Sequence, residues 1–269
     1  MTLNDDFSRR KLLSGLGIMA IGTATGGMFA IPSEVRAEDC ITKPSVLVFD
    51  VNETLINIES ISPVFQRVFG DKNVLREWWG QLILYSNVVT LSGLYTTFFS
   101  LGQGLLEMIG TIHGVSVKPS DIEEVRTRML TMPAHPDVEE GLRHLKAAGF
   151  RMVTCTNSPP NSKGDSPLEH AGLAHFFERQ FSIETVRAFK PSQHVYHMVS
   201  QELDVPPSSC CMVAAHVWDT IGAQSAGFAS ALVARPGNAS LHVKGLPQPQ
   251  VMAPDLPGVA AQLIKLWRA

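Results

Sequence analysis

Five short runs constrain the fold of this chain more than any other feature. They are "SVLVFDV" (45–51), "FRMVTCTN" (150–157), "RQFSIETV" (179–186), "CCMVAAH" (210–216) and "ASALVARP" (229–236). Each is apolar along most of its length instead of alternating apolar with polar. A strand with one wet face alternates; a near-continuous apolar run needs cover on both faces. Helical patterns between the runs supply that cover: "DVEEGLRHLKAAG" (137–149), "SQHVYHMVSQELDV" (192–205) and "VWDTIGAQSAG" (217–227). Gly149 and Gly227 stand where such helices stop. The alternation predicts an α/β fold with a doubly wound, Rossmann-like parallel sheet.

Between Ser62 and Met132 the alternation stops. "VLREWWGQLILYSNVV" and "FFSLGQGLLEMIGTIHG" have helical periodicity with a wide apolar face. "KPSDIEEVRTRML" reads as another helix, with Ser120 as N-cap and Glu123 three residues on. The expected organisation is therefore an α/β core domain over 44–61 and 133–269, with a helical cap over 62–132 inserted after the first strand. The Pro-rich "KGLPQPQVMAPDLPGV" reads as a loop before a last short helix.

Residues 1–37 read as an export signal. Arg9 and Arg10 precede a Gly-rich, weakly apolar run from Leu12 to Ile31, and Val35 and Ala37 occupy the small-residue positions before a cut. The pattern resembles a twin-arginine signal, which implies cleavage after Ala37 and a periplasmic location. Gly15, Gly17, Gly22, Gly26 and Gly27 make the run a poor membrane anchor, so none is expected after cleavage. The four cysteines show no metal spacing, and Cys155, Cys210 and Cys211 read as buried thiols. A formal net charge of −3, with no basic stripe, argues against a nucleic-acid partner.

In an open α/β sheet, ligands bind beyond the carboxyl ends of the strands. The first strand ends in Asp50, Asn52, Glu53 and Thr54, and the second in Thr156 and Asn157. Lys190 follows the third run; His216, Trp218 and Asp219 follow the fourth. Carboxylates, hydroxyls, amides and a lysine thus converge on one edge as a candidate reactive site.

These motifs, "VFDVNETL", "TCTNS", "FKP" and "AAHVWD", resemble in order the four motifs of the haloacid dehalogenase superfamily. The resemblance runs from about Val46 to the end, and the helical insertion falls where that superfamily carries a cap. Its phosphatases have an acid at the position of Asn52, and an amide cannot serve as a general acid. They also hold a cation with further acids where this chain has Ala214 and Ala215. Both departures favour similarity to the type II 2-haloacid dehalogenases, as do Tyr85–Ser86 and Trp218–Asp219. That similarity implies a metal-free hydrolysis of short 2-haloalkanoic acids, with no cofactor. Members are often dimeric and L-selective. The alternatives are a phosphatase of the same superfamily and an exported binding protein without catalysis.

The resemblance assigns roles. Asp50 is the nucleophile and carries an ester intermediate. Lys190 keeps Asp50 ionised, Thr54 and Thr156 hold carboxylate oxygens, and Asp219 positions Lys190 or the water. Asn157 is the halide-side donor, and Tyr196 matches an active-site tyrosine. Two departures add expectations. His216 stands where better-known members have Asn, and Glu53 where they have Gly, so a Glu53–His216 pair is expected to activate the hydrolytic water. Trp79 stands where the family uses an arginine for substrate, and Arg76, one helical turn earlier, is the candidate replacement; a surface ion pair is the plainer reading of Arg76. Trp78, Trp79, Phe98 and Phe99 are expected in the core of the insertion or in an apolar pocket wall. His113 and His135 show no partner pattern.

Overall fold

The computed structural model describes residues 43–160 and 164–268. The expected export signal lies outside the described residues. The described residues form one compact unit.

Among the described residues the sheet has six strands, all parallel: β1 (Val46–Phe49), β2 (Arg151–Thr156), β3 (Arg179–Ser182), β4 (Cys210–Ala214), β5 (Ala229–Val233) and β6 (Val251–Ala253). Their order is β3-β2-β1-β4-β5-β6. The winding direction reverses between β1 and β4, which is where this topology opens a crevice for ligands. β1 lies between β2 and β4, with Phe49 level with Thr154 on one side and Val213 on the other. All four β1 side chains are fully buried, each contributing on the order of 2 kcal/mol. The residue after such a strand is held rigidly, and here it is Asp50, whose N–H donates to Val213 O at 3.0 Å.

Four helices fall between β1 and β2 before the crossover: α1 (Ser62–Phe69), α2 (Val74–Leu91), α3 (Phe98–His113) and α4 (Pro119–Leu130). Trp78, Trp79 and Phe98 form their buried centre, while Phe99 is half-buried. Trp78 Nε1 donates to Gly102 O at 2.8 Å, and the absent side chain at Gly102 lets α2 and α3 meet at that point. The chain continues through α5 (Val138–Ala147), the single turn α6 (Pro167–His170), α7 (Gln193–Glu202), α8 (Val217–Ser225) and α9 (Leu256–Trp267).

Three expectations change. α4 starts two residues earlier than the Ser120 cap implies, because Pro119 fits a first helical position and Asp121 Oδ2 accepts from the Lys118 N–H at 2.9 Å. The third run ends as a strand at Ser182, and a 3₁₀ turn over Ile183–Thr185 follows. The Pro-rich tail contains a strand, β6, whose middle residue Met252 is exposed. Prolines on both sides of a three-residue edge strand hid it from periodicity. Cys155, Cys210 and Cys211 are buried free thiols, and burial pushes the Cys155 thiol up to about 12.

Gly222 of α8 sets the distance between that helix and the turn carrying Lys190. A Cβ there would lie 2.4 Å from Pro191 Cβ and 2.7 Å from the Tyr196 hydroxyl. Gly222→Ala is expected to lower stability by about 1–3 kcal/mol through overpacking, measured by urea unfolding. An unchanged midpoint would show that the α8–Lys190 contact yields freely.

Candidate active site

Asp50 sits at the tip of β1 and is 4% exposed. Lys190 Nζ donates to Asp50 Oδ1 at 2.8 Å, to Asp219 Oδ2 at 2.6 Å and to Cys155 O at 2.9 Å. All three ammonium donors are thereby used. Thr54 Oγ1 donates to Asp50 Oδ2 at 2.6 Å and accepts from the Ala215 N–H at 2.8 Å. Burial alone would raise the pKa of Asp50; the charges and hydrogen bonds of Lys190 and His216 outweigh it and hold the carboxyl well below its usual range. Burial likewise opposes the charge on Lys190, but Asp219 and Asp50 together raise its pKa, so it stays an ammonium. Asp219 is raised by burial and by the Asp50 charge, against the pull of Lys190.

His216 lies between two carboxylates. Its Nε2 is 2.9 Å from Glu53 Oε2, and its Nδ1 is 3.3 Å from Asp50 Oδ2. The second contact is an ion pair with poor hydrogen-bond alignment. Trp218 stacks on the ring at 4.9 Å between centroids, and Trp79 covers it at 6.3 Å. Burial alone would lower the pKa of His216; Asp50 and Glu53 together raise it to about 9. The ring is therefore an imidazolium at neutral pH while Asp50 is charged.

Glu53 has φ 66, in the left-handed region. A non-glycine residue there costs on the order of 1–3 kcal/mol. The offset is visible in its partners: Arg76 and His216 share the carboxylate, and His135 Nε2 bonds the Glu53 carbonyl at 3.0 Å. Burial would raise the pKa of Glu53, but His216 and Arg76 hold it low.

The structure brings Asp50, Glu53, Thr54, Lys190, His216 and Asp219 together as expected from the sequence. Three other placements differ. Thr156 Oγ1 accepts from the Ser158 N–H at 3.1 Å and so braces the loop after β2 rather than a carboxylate oxygen. Tyr196 is fully buried behind Asp219, donating to Oδ1 at 2.7 Å, so it orients that carboxylate and does not face the cleft. Arg76 is committed to carboxylates: Nη1 to Glu53 and Nη2 to Glu59, with Pro236 O at 3.5 Å. Asn157 Oδ1 accepts from the Lys190 N–H at 2.9 Å, which fixes the amide beside Lys190.

Sequence reasoning missed His135, which braces Glu53, and buried Arg235, which donates to Thr54 O at 3.0 Å and to Asp137 Oδ1 at 2.7 Å. These partners are 82 and 181 residues from the groups they hold, so no local spacing could reveal them. His113 meets Glu77 at 2.8 Å in the insertion, away from the site.

A cavity of about 260 Å³ opens beside this cluster, lined mainly by apolar side chains. Trp78, Leu82, Phe98 and Leu106 form its walls, and Asn52 and Ser158, bonded to each other at 3.1 Å, form its floor. Asp50 itself is not in its lining, so the cavity adjoins the carboxylate cluster through Asn52 instead of enclosing it. Trp79 Nε1 is buried without a hydrogen-bond partner.

A buried, ionised carboxylate on a strand tip, an ammonium neutralising it, and an imidazole beside it define a site for covalent nucleophilic chemistry in a Rossmann-like α/β fold. Residues 44–227 match the family described as haloacid dehalogenase-like hydrolase, and the chain belongs to that family. It is 28% identical over 193 residues to (S)-2-haloacid dehalogenase H-109 of Pseudomonas putida, covering 71% of this chain and 86% of that one. It is 29% identical over 187 residues to (S)-2-haloacid dehalogenase 1 of Pseudomonas sp. strain CBS-3, covering 67% and 80%. The fold is similar to that of the L-2-haloacid dehalogenase of Xanthobacter autotrophicus with chloropropionic acid covalently bound. The TM-score there is 0.73, at 22% identity over 82% of this chain and 98% of that one. A second L-2-haloacid dehalogenase superposes with a TM-score of 0.76 at 21% identity, covering 85% and 100%.

The raised His216 pKa fixes the sign of a pH effect. A folded value of about 9 against an ordinary 6.5 means that this pairing stabilises the fold fully below pH 6.5. That stability is lost as pH rises through 9. The depressed carboxylates Asp50 and Glu53 contribute in the opposite direction, losing stability as pH falls below their ordinary range near 4. Urea unfolding of the wild type is expected to weaken between pH 6.5 and 9, and His216→Asn to lose that slope. Parallel curves for the two proteins would contradict an imidazolium held by Asp50 and Glu53.

Proposed function

We propose that the protein is a type II-like dehalogenase, hydrolysing 2-haloalkanoic acids to 2-hydroxy acids through an ester on Asp50 and without a metal. The observation that carries this reading is the state of Asp50: buried, ionised, and neutralised by Lys190, with an amide at Asn52 in place of a second acid. A desolvated carboxylate is a strong nucleophile toward carbon, and no group at Asn52 can protonate an alkoxide leaving group. The relatives named above support the same substrate class.

In the first step an Asp50 oxygen attacks C2, the carbon–halogen bond breaks, and halide leaves with the bonding pair. The family resemblance makes Asn157 the halide-side donor, and the Trp79 N–H, buried without a hydrogen-bond partner, offers a second donor for the substrate's negative charge. In the second step water attacks the Asp50 carbonyl carbon while His216 takes its proton, the bond from that carbon to the substrate oxygen breaks, and the 2-hydroxy acid leaves with the proton from His216 as the Asp50 carboxylate is restored. His216 Nδ1 lies 3.3 Å from Asp50 Oδ2 and Nε2–H is held by Glu53, so Nδ1 is the base. Esterification removes the Asp50 charge, which lets the imidazolium release its proton to solvent before it accepts one from the attacking water.

A metal-free reaction fits the donor set. Lys190 already takes one oxygen from each of Asp50 and Asp219, and Asn52, Ala214 and Ala215 add no charged oxygen. A hard cation takes six or more oxygens. Halide release from 2-chloropropanoate is expected to persist in EDTA and to fall on the order of 10⁴-fold or more in Asp50→Asn. Phosphate ester cleavage that requires Mg²⁺, with no halide release, would replace this reading with the phosphatase one.

The apolar cavity extends the substrate range beyond the shortest acids. It is near the lower size limit of small-molecule pockets and suits an alkyl or aryl 2-substituent. Gln103→Trp, placed on the exposed rim of the cavity, is expected to lower kcat/KM for 2-bromohexanoate about tenfold while sparing bromoacetate. Equal losses on both substrates would detach the cavity from specificity.

The Arg9–Arg10 pattern supports export of the folded enzyme to the periplasm, with cleavage after Ala37. Cell fractionation tests it: the mature form is expected in the periplasm and is retained in the cytoplasm by Arg9→Lys with Arg10→Lys.

A further inference from the structure

We propose that Arg76 is a positioning residue for the second half-reaction: it holds Glu53 against His216 and offsets the Glu53 charge, so that His216 can give up its proton once Asp50 is esterified. The inference rests on the dehalogenase reading above and adds a residue that this reading does not require.

The contacts form a line of alternating charge. Arg76 Nη1 pairs with Glu53 Oε1, and the other Glu53 oxygen meets His216 Nε2 at 2.9 Å. His216 Nδ1 faces Asp50 Oδ2 at 3.3 Å, and Asp50 Oδ1 meets Lys190. Arg76 therefore grips the Glu53 oxygen that His216 does not use, which fixes the carboxylate plane. Its second arm reaches Glu59 Oε1 at 2.5 Å and Pro236 O at 3.5 Å, so the guanidinium is itself held from two sides. Trp79, three residues on along α2, covers the His216 ring. One face of α2 thus carries both the clamp on Glu53 and the lid on His216.

The chemistry needs such a clamp. Flanked by Asp50 and Glu53, His216 is cationic and has no lone pair for water. Alkylation of Asp50 removes one of the two anions. The other, Glu53, still favours the imidazolium. A guanidinium on Glu53 weakens that hold, because each positive neighbour makes a further positive charge less favourable. The charged and titratable groups around the ring are Asp50 from β1, Glu53 from the following loop, and Arg76 from α2. Lys190 and Asp219 act through Asp50, and Glu59 acts through Arg76. His135 touches only the Glu53 carbonyl. Without Arg76, Glu53 has His216 as its sole cationic partner among these groups, and the ring keeps its proton to higher pH.

The test separates the two half-reactions. Wild type, Arg76→Met, Arg76→Lys and His216→Asn are mixed with 2-chloropropanoate in rapid quench. The halide burst reports alkylation, and intact mass reports the Asp50 ester. Arg76→Met is expected to keep the halide burst within about threefold while the ester accumulates, with hydrolysis near pH 7 slowed roughly tenfold. The alkaline-rising limb of the kcat–pH profile is expected to move up by about one unit. Arg76→Lys, which keeps the charge, is expected to restore most of both. Equal loss in the two half-reactions, or an unshifted pH limb, overturns the proposal by assigning Arg76 a merely structural role. Wild-type turnover with no ester trapped in His216→Asn overturns the His216 reading instead. No halide from any variant, wild type included, overturns the dehalogenase reading itself.

Discussion

The buried Lys190 ammonium is the interaction on which the site depends. An isolated charge in this position would cost several kcal/mol of lost hydration. It is tolerated because Asp50, Asp219 and the Cys155 carbonyl take its three donors at 2.6–2.9 Å. The reverse also holds, since two buried carboxylates this close would not both ionise without it. Tyr196 then fixes Asp219, and Gly222 allows α8 close enough to the Lys190 turn for the triangle to form. Stability and reactivity here share one cause: the cluster that satisfies its own buried charges keeps Asp50 anionic and dry.

Around that triangle the charges alternate outward from Asp219 through Lys190, Asp50, His216 and Glu53 to Arg76. Neutralising any one of them changes the proton affinity of its neighbours. A covalent mechanism through Asp50 does this during turnover, since the ester removes a charge from the centre of the line. The same ring can therefore be an ion-pair partner of Asp50 before alkylation and a base afterwards. That economy explains why a histidine with a resting pKa of about 9 is not disqualified as a base.

Glu53 shows how function and backbone strain meet. Its left-handed φ suits glycine, the residue that the resembled family carries there. A glutamate is held in that conformation only because both carboxylate oxygens and its carbonyl have fixed partners. Two of those partners, Arg76 and His135, come from α2 and from the segment after the insertion. The helical insertion therefore shapes the hydrolytic half of the site as well as walling the adjacent apolar cavity.

Residue order alone was enough to specify the parallel sheet, the helical insertion and the six polar or charged residues at the strand ends. It could do so because strand burial writes continuous apolar runs, and because a residue just past a strand has nowhere to point but the crevice. It also made the Glu53–His216 contact legible, since both follow neighbouring strands. Where longer side chains spend their charge emerged only from the packed fold. Arg76 bonds Glu53 and not an open anion site, Tyr196 lies behind Asp219, and Thr156 braces its own loop. His135 and Arg235 reach the site across 82 and 181 residues, and the Met252 edge strand hides between prolines. Each of these depends on the direction of a side chain after packing, which periodicity and spacing do not encode, whereas the position of a Cα at a strand tip is fixed as soon as the strand is buried.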